Sequence, residues 1–168
     1  SAAYEEAMKS LLNIVCSADY NFKITEIKPI NGDNIPRFVE AYNYGQVIPI
    51  NKLRGVFGPS AMTNDVEIPQ GEFFTFYDGY PPYQSYPCQG ICMNVSMSVG
   101  PDSATSWYVS LEAGEQHQDT NTGLFKDEVI PTSQYWQTIS SGYSYQLRSV
   151  GYNNQYGANW RQSCSCLL

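Results

Sequence analysis

The chain has 168 residues, 42% hydrophobic and only 15% charged, which excludes a disordered polyelectrolyte and a coiled coil and predicts one packed domain. The net charge is −7, and between Arg54 and Lys126 the sequence holds acids from Asp65 to Asp119 but no basic residue. Nucleic acid and anionic lipid are recognised by Lys and Arg set against phosphate, so neither is expected as an electrostatically driven partner.

In chain order, Tyr4, Met8, Leu11, Leu12 and Val15 recur at helical spacing, with Glu5, Glu6, Lys9 and Asn13 opposite them. This predicts an amphipathic helix over 3–16 whose apolar face docks on the domain or, alternatively, detaches towards a membrane. After Asp19 the pattern changes to short apolar runs separated by turns. Strands are predicted over 20–28, 36–42, 46–50, 53–57, 65–68 and 71–77. Ile91, Met93, Val95, Met97 and Val99 alternate with polar residues. The turn Gly100-Pro101-Asp102-Ser103 and the alternating Trp107, Val109 and Leu111 follow, which reads as an antiparallel hairpin. Further strands are predicted over 124–130, 134–140, 143–150 and 156–163. The expected fold is therefore mainly β, an antiparallel β-sandwich or closed barrel formed by 20–168 with an N-terminal helix, all in one domain.

The five cysteines fall as Cys16 alone, Cys88 and Cys92 as C-x-x-x-C, and Cys164 and Cys166 as C-x-C. Disulfides joining the 88/92 pair to the 164/166 pair would suit a secreted protein, and secretion is the expected location. Reduced structural thiols and a four-thiolate zinc site are the alternatives, although C-x-C is an irregular ligand spacing. Asn94-Val95-Ser96 is a glycosylation sequon, with meaning only in a secreted chain.

No catalytic residue, metal site or cofactor is assigned. His117 is the single imidazole and no nucleophile elbow occurs. Glu115, His117 and Asp119 alternate, but 114–123 reads as a polar loop rather than a rigid metal mount. No stretch reaches the roughly 18 apolar residues of a spanning helix.

Aromatic residues are the strongest signal. Residues 73–86 read Phe-Phe-Thr-Phe-Tyr-Asp-Gly-Tyr-Pro-Pro-Tyr-Gln-Ser-Tyr, and Tyr80, Tyr83 and Tyr86 recur every third residue among prolines. A polyproline-type segment with three residues per turn would align these phenols as a preorganised ledge. Phenol rings stack on sugar faces or hold a quaternary ammonium by cation–π attraction, and neither use needs Lys or Arg. The simpler reading is that these rings cover a sheet edge. A second set, Tyr135, Trp136, Tyr143, Tyr145, Tyr152, Tyr156 and Trp160, falls on the last predicted strands and belongs in part to the core.

The plan of an N-terminal amphipathic helix, an all-β body and surface tyrosines resembles that of actinoporin-like pore-forming toxins and the related fungal fruit-body lectins. Asp65 to Tyr77, with Ile68-Pro69 and Gly71 before an apolar strand, is similar to the strand entered there through a Leu-Pro step. Gly90 to Ser110 is similar to the hairpin that follows. Tyr135-Trp136 would stand at the paired aromatic of that family's phosphocholine pocket. The chain departs from the family at Ser110-Leu111-Glu112, where an acid replaces the pocket proline, in its scarcity of basic residues and in a helix poor in Gly. The resemblance implies a soluble monomer that recognises choline lipid heads and oligomerises only on a membrane, inserting its helix.

The expected function is thus non-enzymatic recognition of a membrane lipid head group or a glycan, with Tyr77, Tyr80, Tyr83, Tyr86, Tyr108, Tyr135 and Trp136 as ligand-binding candidates. The alternative is a protein-binding or inhibitor module that docks through the Tyr/Pro-rich segment 73–87. An acid-dependent hydrolase would require two buried carboxylates converging in a cleft.

Overall fold

A computed structural model describes residues 2–3, 19–30, 32, 35–56, 66–78, 88, 90–95, 108–114, 116–117, 120–121, 124–130, 139 and 142–164. The strands are β1 (Phe22–Lys28), β2 (Phe38–Asn43), β3 (Ile48–Pro49), β4 (Leu53–Val56), β5 (Glu67–Ile68), β6 (Phe73–Tyr77) and β7 (Ile91–Asn94). They continue as β8 (Val109–Ala113), β9 (Gln116–His117), β10 (Thr120–Asn121), β11 (Phe125–Val129), β12 (Tyr143–Leu147) and β13 (Trp160–Cys164). The chain is mainly β and forms several sheets. The expected helix over 3–16 lies outside the described residues except at residue 3, and no α-helix is among the named elements.

The largest sheet has six strands in the order β13-β12-β1-β2-β6-β7, and a second has three in the order β11-β8-β4. β3 pairs with β5, and β9 with β10. One hydrophobic cluster joins the two larger sheets: Ile24, Ile27, Val39, Phe74 and Phe76 come from the first, and Leu53, Val109, Leu111 and Val129 from the second. Each such side chain contributes about 1.5–3 kcal/mol on burial, so this shared interior is the main source of cohesion. Within it Phe22 meets Phe74 and Phe125 edge to face at 6.0 and 4.7 Å.

Two predicted features are corrected. The hairpin of 91–99 with 106–111 does not form between its arms: β7 lies at the edge of the six-stranded sheet, parallel to β6, while β8 is the centre of the three-stranded sheet. The alternation itself was sound, because Met93, Val109 and Leu111 are buried and Cys92 and Asn94 exposed. Period-two patterning fixes the face of a strand and not its neighbour. Likewise, within 114–123 the backbone forms a short antiparallel ladder, Thr120 opposite His117 and Asn121 opposite Gln116, instead of a plain loop. The predicted strand 134–140 lies outside the described residues except for the buried Ile139.

Among the described strands, β1 carries a marked irregularity. Its pairing with β2 shifts between Ile24 and Glu26, so Thr25 is the extra residue of a bulge. Only Glu26 and Ile27 are matched to β12, at Gln146 and Tyr145. The earlier half of β1 therefore has backbone groups that a neighbouring strand does not take up.

Candidate functional site: the tyrosine loop between β12 and β13

Those backbone groups are satisfied by side chains. The Ile24 N–H donates to Asp127 Oδ2 at 2.8 Å, and the Ile24 carbonyl accepts from Asn154 Nδ2 at 3.0 Å. Asn154 Nδ2 also donates to Asp127 Oδ2 at 2.8 Å, and the Asn154 carbonyl accepts from the Trp160 indole at 3.0 Å. Asn154 is buried in the middle of the connection from β12 to β13, so this amide fastens the loop to the strand that β12 has left. Lys23 fastens the loop's other arm, with Nζ donating to the carbonyls of Val150 at 2.9 Å and Tyr152 at 3.0 Å while lying 5.6 Å from the centre of the Tyr44 ring. The Tyr44 hydroxyl donates to the same Val150 carbonyl at 2.6 Å.

Burial sets the charges here. It lowers the Lys23 pKa, against the pull of Asp127, and raises that of Asp127, against hydrogen bonds from Ile24 and Asn154 and the charge of Lys23. Burial also raises the Tyr44 phenol well above its ordinary range, so this hydroxyl keeps its proton and remains a donor.

The loop displays what its anchors do not use. Tyr152 is 48% and Tyr156 63% exposed, on either side of the buried Asn154. Among the described residues neither hydroxyl has a hydrogen-bond partner. Each exposed phenol ring, carried on a fastened loop, can stack on a flat or apolar ligand face without first becoming ordered.

The aromatic residues singled out in the sequence fare differently. Tyr77 is 8% exposed and packs with Ile35 and Phe38 in a small cluster separate from the main core, so it is no surface ligand ring. Tyr108 is half-buried and its hydroxyl donates to Glu128 Oε2 at 2.6 Å, where Lys126 also binds at 3.0 Å. Tyr80, Tyr83, Tyr86, Tyr135 and Trp136 lie outside the described residues. Tyr152 and Tyr156 were not singled out as ligand residues. The available signal was Tyr-Asn-Asn-Gln-Tyr placed at a turn, since a ring beside a turn faces solvent more often than a ring within a strand.

A second polar constellation crosses the face of the six-stranded sheet that is turned away from the main core. Register aligns Arg161, Gln146, Glu26, Glu40, Thr75 and Cys92 in one row, a residue from each strand. Ser144 Oγ donates to Glu26 Oε2 at 2.7 Å, and the bulge residue Thr25 donates to Glu40 Oε1 at 2.8 Å. Burial, reinforced by the charge of Glu26 and opposed by the Thr25 hydrogen bond, pushes Glu40 up to about 7. Glu26 is raised by the same burial, against Ser144 and Arg161. The acids are held by the sheet's own hydroxyls.

The cysteines are also corrected. Cys88 is bonded to Cys92, with Cα atoms 5.9 Å apart, and so this pair does not bridge to the C-terminal one. The Cys164 backbone ends β13 opposite Tyr143, and Cys16 and Cys166 lie outside the described residues. With this geometry in hand, comparison with known proteins gives no guide to the site: no family model, characterised protein or solved structure matches the chain.

Proposed function

We propose that this protein is a non-enzymatic recognition protein, a secreted two-sheet β-sandwich that binds a lipid head group or a glycan through tyrosine rings on a fastened surface loop. One observation carries the reading: Tyr152 and Tyr156 are exposed while Asn154 between them is buried and hydrogen-bonded to Ile24, Asp127, Gln155 and Trp160. A ring contact adds about 0.5–1.5 kcal/mol beyond its buried area, and a loop already in place loses little entropy on binding. Secretion is supported by the Cys88–Cys92 disulfide, since such bonds persist in oxidising compartments. The choline-lipid and cytolytic version suggested by the resemblance to actinoporins depends on 3–16, described only at residue 3, and on Tyr135-Trp136, outside the described residues.

Binding of the full chain to phosphatidylcholine vesicles and to a printed glycan array tests the proposal. Binding to either, lost on Tyr156→Ala, is the expected result. No binding to either surface, with a stoichiometric protein partner recovered instead, would replace it with the protein-docking module.

A further inference from the structure

We infer that the 152–156 loop is a carbohydrate subsite, shaped for the apolar face of a neutral pyranose ring rather than for a choline head group. This inference rests on the recognition reading above and narrows its ligand.

Charge argues first. The protein as a whole is acidic, yet no acid follows Glu128, and the last forty residues carry only Arg148 and Arg161 as charged side chains. Lys23 lies beneath the loop, donating to the Tyr152 carbonyl. The two acids that approach the loop are already engaged. Asp127 Oδ2 accepts from Ile24 and Asn154, and Glu128 Oε2 from Tyr108 and Lys126. Among the described residues, a quaternary ammonium held by cation–π attraction would find near these rings only carboxylates that already accept hydrogen bonds or an ion pair, with Lys23 and Lys126 beside them. A sugar has no charge to be opposed.

The amide inventory argues second. Gln155 uses both hydrogens of its side-chain amide, one on the Glu128 carbonyl at 2.5 Å and one on Asn154 Oδ1 at 2.9 Å, which leaves Oε1 as an acceptor. Asn153 uses Oδ1 to accept from the Gln155 N–H at 2.9 Å, which leaves Nδ2 as a donor. Both residues are exposed. The internal bonds fix the orientation of each amide, so one neutral donor and one neutral acceptor lie, in chain order, between two exposed tyrosines. Adjacent sugar hydroxyls each donate and accept, and the ring's C–H face stacks on an aromatic plane, so the four side chains offer what a pyranose needs.

The test uses the full chain, a printed glycan array and, for array hits, saturation-transfer NMR with the corresponding methyl glycoside, alongside phosphatidylcholine vesicles. The expected result is glycan binding weakened at least tenfold by Tyr152→Ala or Tyr156→Ala, and weakened also by Asn153→Asp, which removes the donor and keeps the shape. Because these side chains are exposed, unchanged circular dichroism and melting will separate lost binding from lost folding. Vesicle binding that depends on Tyr156 without any glycan hit would overturn the carbohydrate assignment and leave the recognition reading standing. Glycan binding indifferent to all three substitutions would overturn the location. Silence on both surfaces would overturn the inference together with the reading it narrows.

Discussion

Glu26 on β1 and Glu40 on β2 stand directly opposite each other in an antiparallel ladder, on one face of the sheet, where like charges repel. The pair is tolerated because burial favours the protonated form of each carboxyl and Thr25 and Ser144 supply hydrogen bonds. Arg161, whose charge acts on Glu26, is a cation of the same sheet.

The pair predicts stability that falls as pH rises. Glu40 is raised from 4.5 to about 7, so between these values the folded chain holds a proton that the unfolded chain has released. Stability is then greatest below about pH 4.5 as far as this group is concerned, and is lost as pH climbs through 7. The full effect is on the order of 3 kcal/mol at about 1.4 kcal/mol per pKa unit. Urea denaturation from pH 4.5 to 8 should show this decline, and Glu40→Gln should flatten it and stabilise the protein at pH 8. An undiminished slope in the variant would show that the proton resides elsewhere.

Asn154→Ala should be costly although it removes few atoms. It strands the Ile24 carbonyl and removes a donor from the buried Asp127, and unmet buried polar groups cost about 1–3 kcal/mol each. Denaturant titration should show a loss of about 2–4 kcal/mol, and faster hydrogen exchange should be concentrated at Ile24 and in residues 150–156. An even rise in exchange over the whole chain would contradict the anchoring role.

Gly90 precedes β7 at a φ of 76°, and a Cβ placed there would collide with the Phe73 carbonyl of β6. Gly90→Ala therefore has both backbone strain and a clash with rigid main chain. We expect a loss of about 2–4 kcal/mol, with the β6–β7 ladder exchanging first by hydrogen–deuterium mass spectrometry. A variant as stable as the parent would mean that β7 can shift without consequence.

The Cys88–Cys92 bond closes only a short loop, with a sequence separation of 4, for which chain entropy gives about 2 kcal/mol. Reduction should lower the melting temperature by several degrees while leaving the far-ultraviolet spectrum intact. A non-reducing peptide map should recover Cys88 linked to Cys92. Recovery of either joined to Cys164 or Cys166 would restore the arrangement first expected from the spacing.

Much of the strand content was legible because apolar and polar residues alternate along β7 and β8, and turn residues punctuate the short apolar runs. Val109, Leu111 and Ala113 point inward as their spacing requires. Partnership was not legible, since nothing local tells β7 to lie parallel beside β6. Tyr77 illustrates the limit for the site: its chemistry suits a ligand, but Ile35 and Phe38, distant in sequence, enclose it. The anchoring of Tyr152 and Tyr156 was equally hidden, because it depends on Asn154 meeting a strand 130 residues away.

Thr25 gives the fold a phase change. Lys23 opposes Tyr42 and Glu26 opposes Glu40, and as positions 40 and 42 of β2 share a face, so do positions 23 and 26 of β1, which an unbroken pleat would send to opposite sides. One inserted residue thus lets the cation beneath the tyrosine loop and the proton-holding acid occupy the same side of a single strand. Deleting it would throw one of them into the hydrocarbon interior, so the tyrosine-loop end of the molecule and the paired acids of the sheet are geared together by a single backbone step.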